Sequence, residues 1–530
     1  MGEGMTNLLG RARRDGVTNP WVIAFVVMLA TFMEVLDTSV ANVSLPHIAG
    51  NLSASVDEST WVLTSYLVSN AIVLPLSGWF SSLFGRKNFY MFCVALFTVS
   101  SFLCGLAPSL GMLVFFRVLQ GAGGGALQPV SQAILVESFP RQKQGMAMAF
   151  YGMGVVFAPI IGPTLGGWIT DNFSWRWIFF INIPVGVLSI VLTRLLIFDP
   201  SYLVRRAWNA IKIDYIGLGF LSVGLGFLQV MLDKGQTDDW FGSHFIVWCA
   251  VLTAVGLVGM VLWELHTDDP VINLRLLKDR NFAISTVSMF TLGVVLYGTT
   301  VMLPIYLQTL MGYTATQSGL VLTPGGLAVM VTMPVVGFLL SKVQPRWLVV
   351  VGVLITSASL FYMAGFNLDI NYGTAVRARV YQSFGMGFLF VPINTMAFYF
   401  IPKEKTNSAT GLINLARNIG GSVGISAVTT LLARGSQVHQ QILAANVNAE
   451  NPAYRRLATG LAGAFTSGGS GPGQAMAQAH GVIYGMVQRH AAMLAFVDNF
   501  RFLGVAMAVI IPLLFLMKKI TPQKGHAVAH

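Results

Sequence analysis

Charged side chains are scarce in this chain of 530 residues: Lys, Arg, Asp and Glu make up only 10% of it, against about a quarter in an average soluble domain. With 55% hydrophobic residues and a mean hydropathy of +0.68, it has more apolar surface than cores of ordinary domain size hide. A conventional soluble protein is thereby excluded. No G-x-x-x-x-G-K-[ST] sequence occurs, so no P-loop is available to make ATP the energy source. Cysteine is rare, and Cys93, Cys104 and Cys249 all fall in apolar runs, with neither a disulfide framework nor metal-ligand spacing. The first 20 residues are polar and lack an apolar stretch followed by a small-residue cleavage site, so no removable signal peptide is expected.

What the chain does have is a series of about fourteen apolar runs, each near the roughly 20 residues that span a bilayer as helix. The first six lie near 21–44, 60–83, 88–107, 110–136, 145–170 and 176–198. Two follow at 213–233 and 245–265, and six more near 282–309, 317–341, 347–366, 374–400, 406–433 and 497–518. The reading is an all-α polytopic membrane protein. The formal net charge of +11 takes its meaning from placement. With the N-terminus inside, cytoplasmic segments hold Arg11, Arg13, Arg14, Arg86, Lys87, Arg141, Lys143, Arg205, Arg206, Lys212, Arg275, Lys278 and Arg280. Lys342, Arg346, Lys403, Lys405, Lys518, Lys519 and Lys524 continue the series, while the opposite loops hold only Arg176, Lys234, Arg434, Arg455, Arg456 and Arg489. That asymmetry orients a membrane protein with both termini in the cytoplasm; it gives no reason to expect nucleic acid as a partner.

Two acids interrupt the first run, "LATFMEVLDTSVANVSLPHI". Glu34 and Asp37 are three residues apart and so share a helix face, about 20 to 24 Å along from Trp21 at 1.5 Å per residue. An ionisable group at the bilayer centre costs roughly 2.5–3.5 kcal/mol, so both must face a cavity or a partner. Arg117 in the fourth run is the expected partner of Asp37, with Gln120 one turn on. Such a carboxylate suits proton coupling, and a static structural pair is the plain alternative. Glu34 suits substrate choice or a solvated place at a cavity mouth.

The chain also repeats itself. "RVLQGAGGGALQP" from Arg117 returns as "RVYQSFGMGFLFVP" from Arg379, an offset of 262, and "LPLSGW" from Leu74 returns as "MPVVGF" from Met333, an offset of 259. Six runs before 213 and six after 265 therefore form two parallel halves, with an added pair between them, an arrangement found in secondary transporters. The expected organisation is a cytoplasmic segment 1–20, a six-helix bundle 21–198 and a linker 199–281 with two extra spans and a cytoplasmic amphipathic segment. A second six-helix bundle 282–518, including a periplasmic segment 434–496, and a cytoplasmic tail 519–530 complete it.

With "LDTSVANVSLPHIAGNL", "GWFSSLFGRK", "RVLQGAGGG", "GVVFAPIIGPTLGGWI", "WRWIFFINIPVG" and "DDPVINLRLLKDRNF" in this order, the chain resembles a major facilitator of the drug:proton antiporter-2 family with fourteen helices, of EmrB/QacA type. The resemblance implies the major facilitator fold and export of hydrophobic or amphipathic compounds, driven by proton entry, by alternating access around a central cavity. No cofactor beyond the proton gradient and no metal is then expected. Proton-coupling roles are expected of Asp37, Glu34 and Arg117, of which Glu34 stands outside the family's helix-1 motif. Cavity roles fall to Glu34, Gln120, Tyr306, Gln308, Arg379, Gln382, Asn394 and Arg417. Conformational roles fall to Gly78, Gly85, Arg86 and Lys87, and to Gly154, Pro159, Gly162, Pro163, Gly166 and Gly167. In the fifth run these glycines give a flat face that another backbone can approach, while the prolines bend the helix and free carbonyls that neighbours must satisfy. The "GWFSSLFGRK" turn departs from the superfamily pattern by holding Ser82 and Leu83 where an acid and a base usually stand. Its Arg86 and Lys87 can still bind helix C-terminal carbonyls or acids, and topology alone also accounts for them.

Residues 434–496 are too long for a mere connector. The Gly- and Ser-rich "TSGGSGPGQ" divides them, and the part after it places Met476, Val482, Ile483, Met486 and Val487 at helical spacing. Either the segment folds back on the protein or the membrane surface, or it docks a periplasmic adaptor, since the EmrB type resembles the inner-membrane member of tripartite pumps with an outer-membrane channel. An exporter of one dedicated metabolite, lipid or siderophore, and a receptor or scaffold that never transports, are the competing functions. An enzyme is not expected, because no His or Cys ligand cluster and no nucleophile with its base is present.

Overall fold

The computed structural model describes residues 19–198, 214–267, 270, 272–402 and 405–519. The cytoplasmic assignments of Arg11, Arg13, Arg14, Arg205, Arg206, Lys212, Lys403 and Lys524, and most of the two terminal segments and of the amphipathic linker, lie outside them. Among the described residues the chain is helical, with no strand. In order, the elements are α1 (Pro20–Asn51), the one-turn α2 (Val56–Ser59), α3 (Trp61–Phe84), α4 (Arg86–Leu106), α5 (Leu110–Gly124), α6 (Leu127–Ser138), α7 (Arg141–Asn172), α8 (Trp177–Phe180) and α9 (Asn182–Leu196). The added pair is α10 (Tyr215–Lys234) and α11 (His244–His266). Then come α12 (Arg280–Thr309), α13 (Ala315–Leu339), α14 (Pro345–Met363), α15 (Tyr372–Phe398), α16 (Thr406–Ala444), α17 (Pro452–Ser467), α18 (Pro472–Ala508) and α19 (Ile510–Phe515).

Eleven described helical segments are long and apolar enough to cross a membrane, and α7 makes a twelfth across a 42° bend beside Pro159. The other two expected spans are α15 and α16. Both have the length but not the apolarity, because they carry Arg379, Gln382 and Asn394, and Asn407, Asn414 and Arg417, all buried among neighbouring helices. The lipid side is plainest on α11, where Phe245, Trp248, Val255, Val258 and Leu262 are exposed; such an apolar belt is stable in a bilayer and not in water.

The spans run alternately up and down. Trp21 at the start of α1 packs its ring 5.0 Å from that of Phe139 after α6. Asn281 at the start of α12 exchanges hydrogen bonds with Lys518 after α19. These residues mark one face, called the terminal face; Arg176 bonded to the Ala107 carbonyl and Arg489 bonded to the Leu310 carbonyl mark the far face. α1 lies along α7 because Gly154 and Gly166 bring the backbone against Met28 and Val40, where an added Cβ would come within 2.8 and 2.9 Å. Pro163 has no N–H to offer the Pro159 carbonyl one turn back, and Ser39 Oγ of α1 donates to that carbonyl at 3.1 Å. Gly162 is close against the same Ser39, and Gly167 is the looser member of the stripe.

Three boundaries differ from expectation. α1 continues through Pro46 to Asn51, α16 runs on to Ala444, and α18 starts at Pro472, so residues 473–497 are one helix with the last span. No proline interrupts 434–444 or 473–497, and the polarity that ends an apolar run does not end a helix. The segment 434–496 is thus two helical extensions joined by α17, which begins at Pro452, capped by the Asn451 side chain accepting from the Ala453 N–H, and stops at the turn containing Gly469, φ +96°.

Candidate functional site

The buried polar groups gather where the two halves meet. Asp37 on α1 accepts from Arg117 Nη1 at 2.5 Å, Gln120 Nε2 at 2.9 Å and Asn182 Nδ2 at 2.7 Å. Arg117 Nε also donates to the Val62 carbonyl, and the guanidinium lies 4.2 Å from the Tyr66 ring centroid. One carboxylate thereby ties α1 to α5 and α9, in a place where Asp37 is 2% exposed and Arg117 0%. The expected pair is present; Asn182, the first residue of α9, was not foreseen, although its position in "FINIP" is an amide in an apolar stretch.

One turn away, Glu34 has a different setting. It accepts from Gln128 Nε2 at 2.7 Å, Asn70 Nδ2 at 3.2 Å and Tyr66 Oη at 3.3 Å. Gln128 then accepts through Oε1 from Arg417 of α16, so a single amide links an acid of the first half to a base of the second. Glu34 also lines a cavity together with Asn70, Gln128, Gln229, Tyr297 and Ser422. Gln229 belongs to the inserted α10 and accepts from Ser422 of α16 at 2.8 Å, so the added pair forms part of the cavity wall. α10 is held there by Gly224 against Gly256 of α11, by Asp233 accepting from Thr64, and by Lys234 donating to Thr60 at 2.5 Å. Tyr66, Asn70, Gln128 and Gln229 escaped the sequence reading because single polar residues in apolar runs carry no motif.

Two smaller cavities adjoin the first through Tyr297, which lines all three. One, of about 420 Å³, is bordered by Arg417, Phe390 and Pro159. The other, of about 380 Å³, is bordered by Arg379, Ser383, Thr300, Met386 and again Pro159. Arg379 Nη1 donates to Gln382 Oε1 at 2.9 Å and to Thr299 Oγ1 at 3.3 Å, and Gln382 Nε2 donates to the same Thr299 at 2.9 Å. Tyr306 instead donates to the Asn367 carbonyl and packs between Phe366 and Phe496, Gln308 is exposed at the end of α12, and Asn394 donates to the Phe390 carbonyl of its own helix. These three residues, and Gln120 and Gln382 with them, were assigned to the cavity from sequence and are absent from the linings of these three cavities. A polar residue near the right depth can equally face a helix neighbour.

On the terminal side of the cavity the halves touch. Gln132 of α6 and Asn414 of α16 exchange amide hydrogen bonds, the shorter 2.8 Å, and a Cβ on Gly78 of α3 would meet Ser408 of α16 at 2.9 Å. α13 lies on α7 with Gly337 over Met146, 3.1 Å from an added Cβ. At the "GWFSSLFGRK" turn, Gly85 takes φ +80°, a conformation costly to any residue with a Cβ. Arg86 pairs with Glu137 at the end of α6, and Lys87 donates to the Arg194 carbonyl at the end of α9. Arg86 thus meets an acid, and Lys87 a carbonyl, at helix C-terminal ends of the first half.

A cavity between two parallel repeats, with the α1 acid Asp37 locked to Arg117 of α5, is accompanied by a match to the Major Facilitator Superfamily over residues 27–425. The chain belongs to that superfamily. It is a transporter of EmrB/QacA type and not an enzyme. It is 39% identical over 434 residues to the multidrug export protein EmrB of Haemophilus influenzae, covering 81% of this chain and 84% of that one. It is 37% identical over 443 residues to the EmrB of Escherichia coli, with 83% and 86% covered. The fatty acid resistance protein FarB of Neisseria gonorrhoeae is 35% identical over 506 residues, 95% of this chain and 97% of its own. In fold the chain resembles a double-Trp mutant of XylE, described in another of its structures as a proton:xylose symporter, with TM-score 0.61, 12% identity and 95% and 97% covered. It likewise resembles the human organic anion transporter MFSD10, with TM-score 0.60, 10% identity and 94% and 99% covered.

Proposed function

We propose that this protein is a proton-coupled antiporter that exports hydrophobic or amphipathic toxic compounds by alternating access of two six-helix halves. The observation that carries the reading is the pair of carboxylates one turn apart on α1: Glu34 in the cavity wall and Asp37 behind it, locked to α5 and α9. A proton on Asp37 cancels its attraction for Arg117 and removes an acceptor from Gln120 and Asn182, which loosens α1 from two neighbours. Glu34, in the cavity, meets the cargo. Mutual seals such as Gln132 with Asn414 then open on one side as the other closes. The relatives' names, which concern multidrug export and fatty acid resistance, suit a mostly apolar cavity with a few polar groups. One proton crossing about 150 mV supplies roughly 3.5 kcal/mol, enough for a gradient of a few hundred-fold in a neutral compound at about 1.4 kcal/mol per factor of ten.

The test is reconstitution into liposomes with an imposed pH gradient, following export of a fluorescent hydrophobic cation and the proton counterflow together. Wild type concentrates the dye and releases protons in step; Asp37→Asn, folded and inserted, does neither. Uphill export by Asp37→Asn at the wild-type level would overturn the proton assignment, and a wild type that moves nothing would favour the receptor reading.

We also place the protein in the inner membrane of a bacterium, with the base-rich terminal face in the cytoplasm and the far face in the periplasm. The extensions on the far face are then the docking site for a periplasmic adaptor that leads to an outer-membrane channel. Ala475, Ala479 and Ile483 of α18 are buried, while Met476, Val482 and Met486 remain exposed. Replacing those three with Ser keeps the helix and should abolish co-purification of the adaptor without changing transport in liposomes; unchanged adaptor capture would count against this docking face.

A further inference from the structure

Counting charges across the central cavity leaves one cation over. Asp37 matches Arg117, and Glu34 is joined to Arg417 through Gln128. Arg379 has no carboxylate: among the described residues its partners are the Gln382 amide and the hydroxyls of Thr299 and Thr300, and its Nε has no acceptor. It is 2% exposed. The repeat makes the vacancy specific. Arg117 and Gln120 recur as Arg379 and Gln382 at an offset of 262, and the same offset carries Asp37 to Thr299. In both halves the Arg and the Gln close on that one position, which is an acid in the first and a hydroxyl in the second.

Keeping a guanidinium in the membrane interior without a counter-ion is costly, and structures normally pair such a charge. The cavity beside Arg379 has the features of a place where the counter-ion arrives with the cargo. It is walled by Val156, Leu296, Val329 and Met386, with the Thr300 hydroxyl bonded to the guanidinium and Ser383 in the same lining. The Nε and Nη2 edge of an arginine presents two parallel N–H groups that match a carboxylate; here Nε is unbonded and Nη2 has only Thr300 at 3.2 Å.

We propose that Arg379 is an anion subsite of the transport cavity, which receives the carboxylate of an amphipathic acid whose apolar part lies against the wall of Val156, Leu296, Val329 and Met386. The proposal rests on the export reading and deepens it, by assigning substrate charge to the second half and proton coupling to the first. Cargo with a carboxylate completes in the second half the ion pair that Asp37 makes permanently in the first.

The experiment compares dodecanoate with its uncharged amide, dodecanamide, as ligands of the purified full-length protein in nanodiscs at neutral pH, by intrinsic tryptophan fluorescence. Wild type is expected to bind the carboxylate about tenfold or more tighter than the amide, Arg379→Gln to bring that ratio to about one, and Arg379→Lys to keep part of the preference. If Arg379→Gln fails to fold, the Arg379→Lys ratio and the wild-type ratio still decide. A wild type without preference, or a preference that survives Arg379→Gln, overturns the proposal. Binding needs no proton gradient, so proton-driven export with no carboxylate preference defeats this inference alone, whereas a preference lost in Arg379→Gln without proton-driven export defeats only the export reading.

Discussion

In the first half of the chain the side chains of Arg117 and Gln120 close on a carboxylate, Asp37; in the second, Arg379 and Gln382 close on a hydroxyl, Thr299. The same difference recurs at a second pair of matched positions, 259 residues apart. Ser55 and Glu58 form a capping box at α2, just before α3, and Thr314 and Gln317 form one at the start of α13. The backbone problem is identical in the two places, four unpaired N–H groups at a helix start, and the repeat solves it once with an acid and once with an amide. At these matched positions the halves share a scaffold and divide the chemistry: the first half has an ionisable acid, while the second has a neutral acceptor. A symmetrical frame that rocks about its interface needs only one half to sense protons, and the other is free to hold cargo.

The strongest way to break this comparison is to make the first half a copy of the second. Asp37→Thr leaves Arg117 buried without its counter-ion, and loss of one partner of a buried pair costs about 3–5 kcal/mol. Uphill export in liposomes under an imposed pH gradient should fall by about a hundred-fold or more, and the melting temperature in detergent should drop. Next in size is the link between halves. Gln128→Leu removes the amide between Glu34 and Arg417 and leaves both charges without their shared partner, worth about 1–3 kcal/mol, so initial rates of dye export should fall by about tenfold.

The converse substitution sharpens the comparison. Thr299→Asp supplies Arg379 with the acid that Arg117 already has. Thermal unfolding of the purified protein should shift upward by a few degrees, and preference for dodecanoate over dodecanamide should fall toward one; a lower melting temperature would mean that the hydroxyl is the better partner. The smallest effect concerns the two capping boxes. The Ser55 backbone and hydroxyl hydrogen bonds hold the exposed Glu58 carboxyl below its usual value of 4.5. A lowered folded-state value stabilises above 4.5 and is lost as pH falls through the lower value. Hydrogen exchange at the Ser55 and Glu58 amides should therefore quicken on acidification below pH 4.5, after correction for intrinsic rates, while the Thr314 and Gln317 amides stay as they were.

Read from the sequence alone, scarcity of charge, helix-length apolar runs and the asymmetric bases dictated a polytopic helical membrane protein, because each depends only on the solvent around a segment. The repeat and the ordered motifs led to the family, and the depth of Asp37 with the base at Arg117 was enough to pair them, since an ionisable group in hydrocarbon has few permissible neighbours. Where α16 ends and α18 begins was not legible, because loss of apolarity marks the edge of a membrane and not the end of a helix. Nor was the cavity. Gln128, Asn70, Asn182 and Gln229 look alike as lone polar residues in apolar runs, and so do Tyr306 and Asn394. Only the packing of α1, α6, α10 and α16 against one another decides which of these meet across the interface and which turn back on their own helix or into a local cluster. The uncompensated charge of Arg379 belongs to the same class, for a missing partner becomes visible only when every helix that might have supplied it is in place.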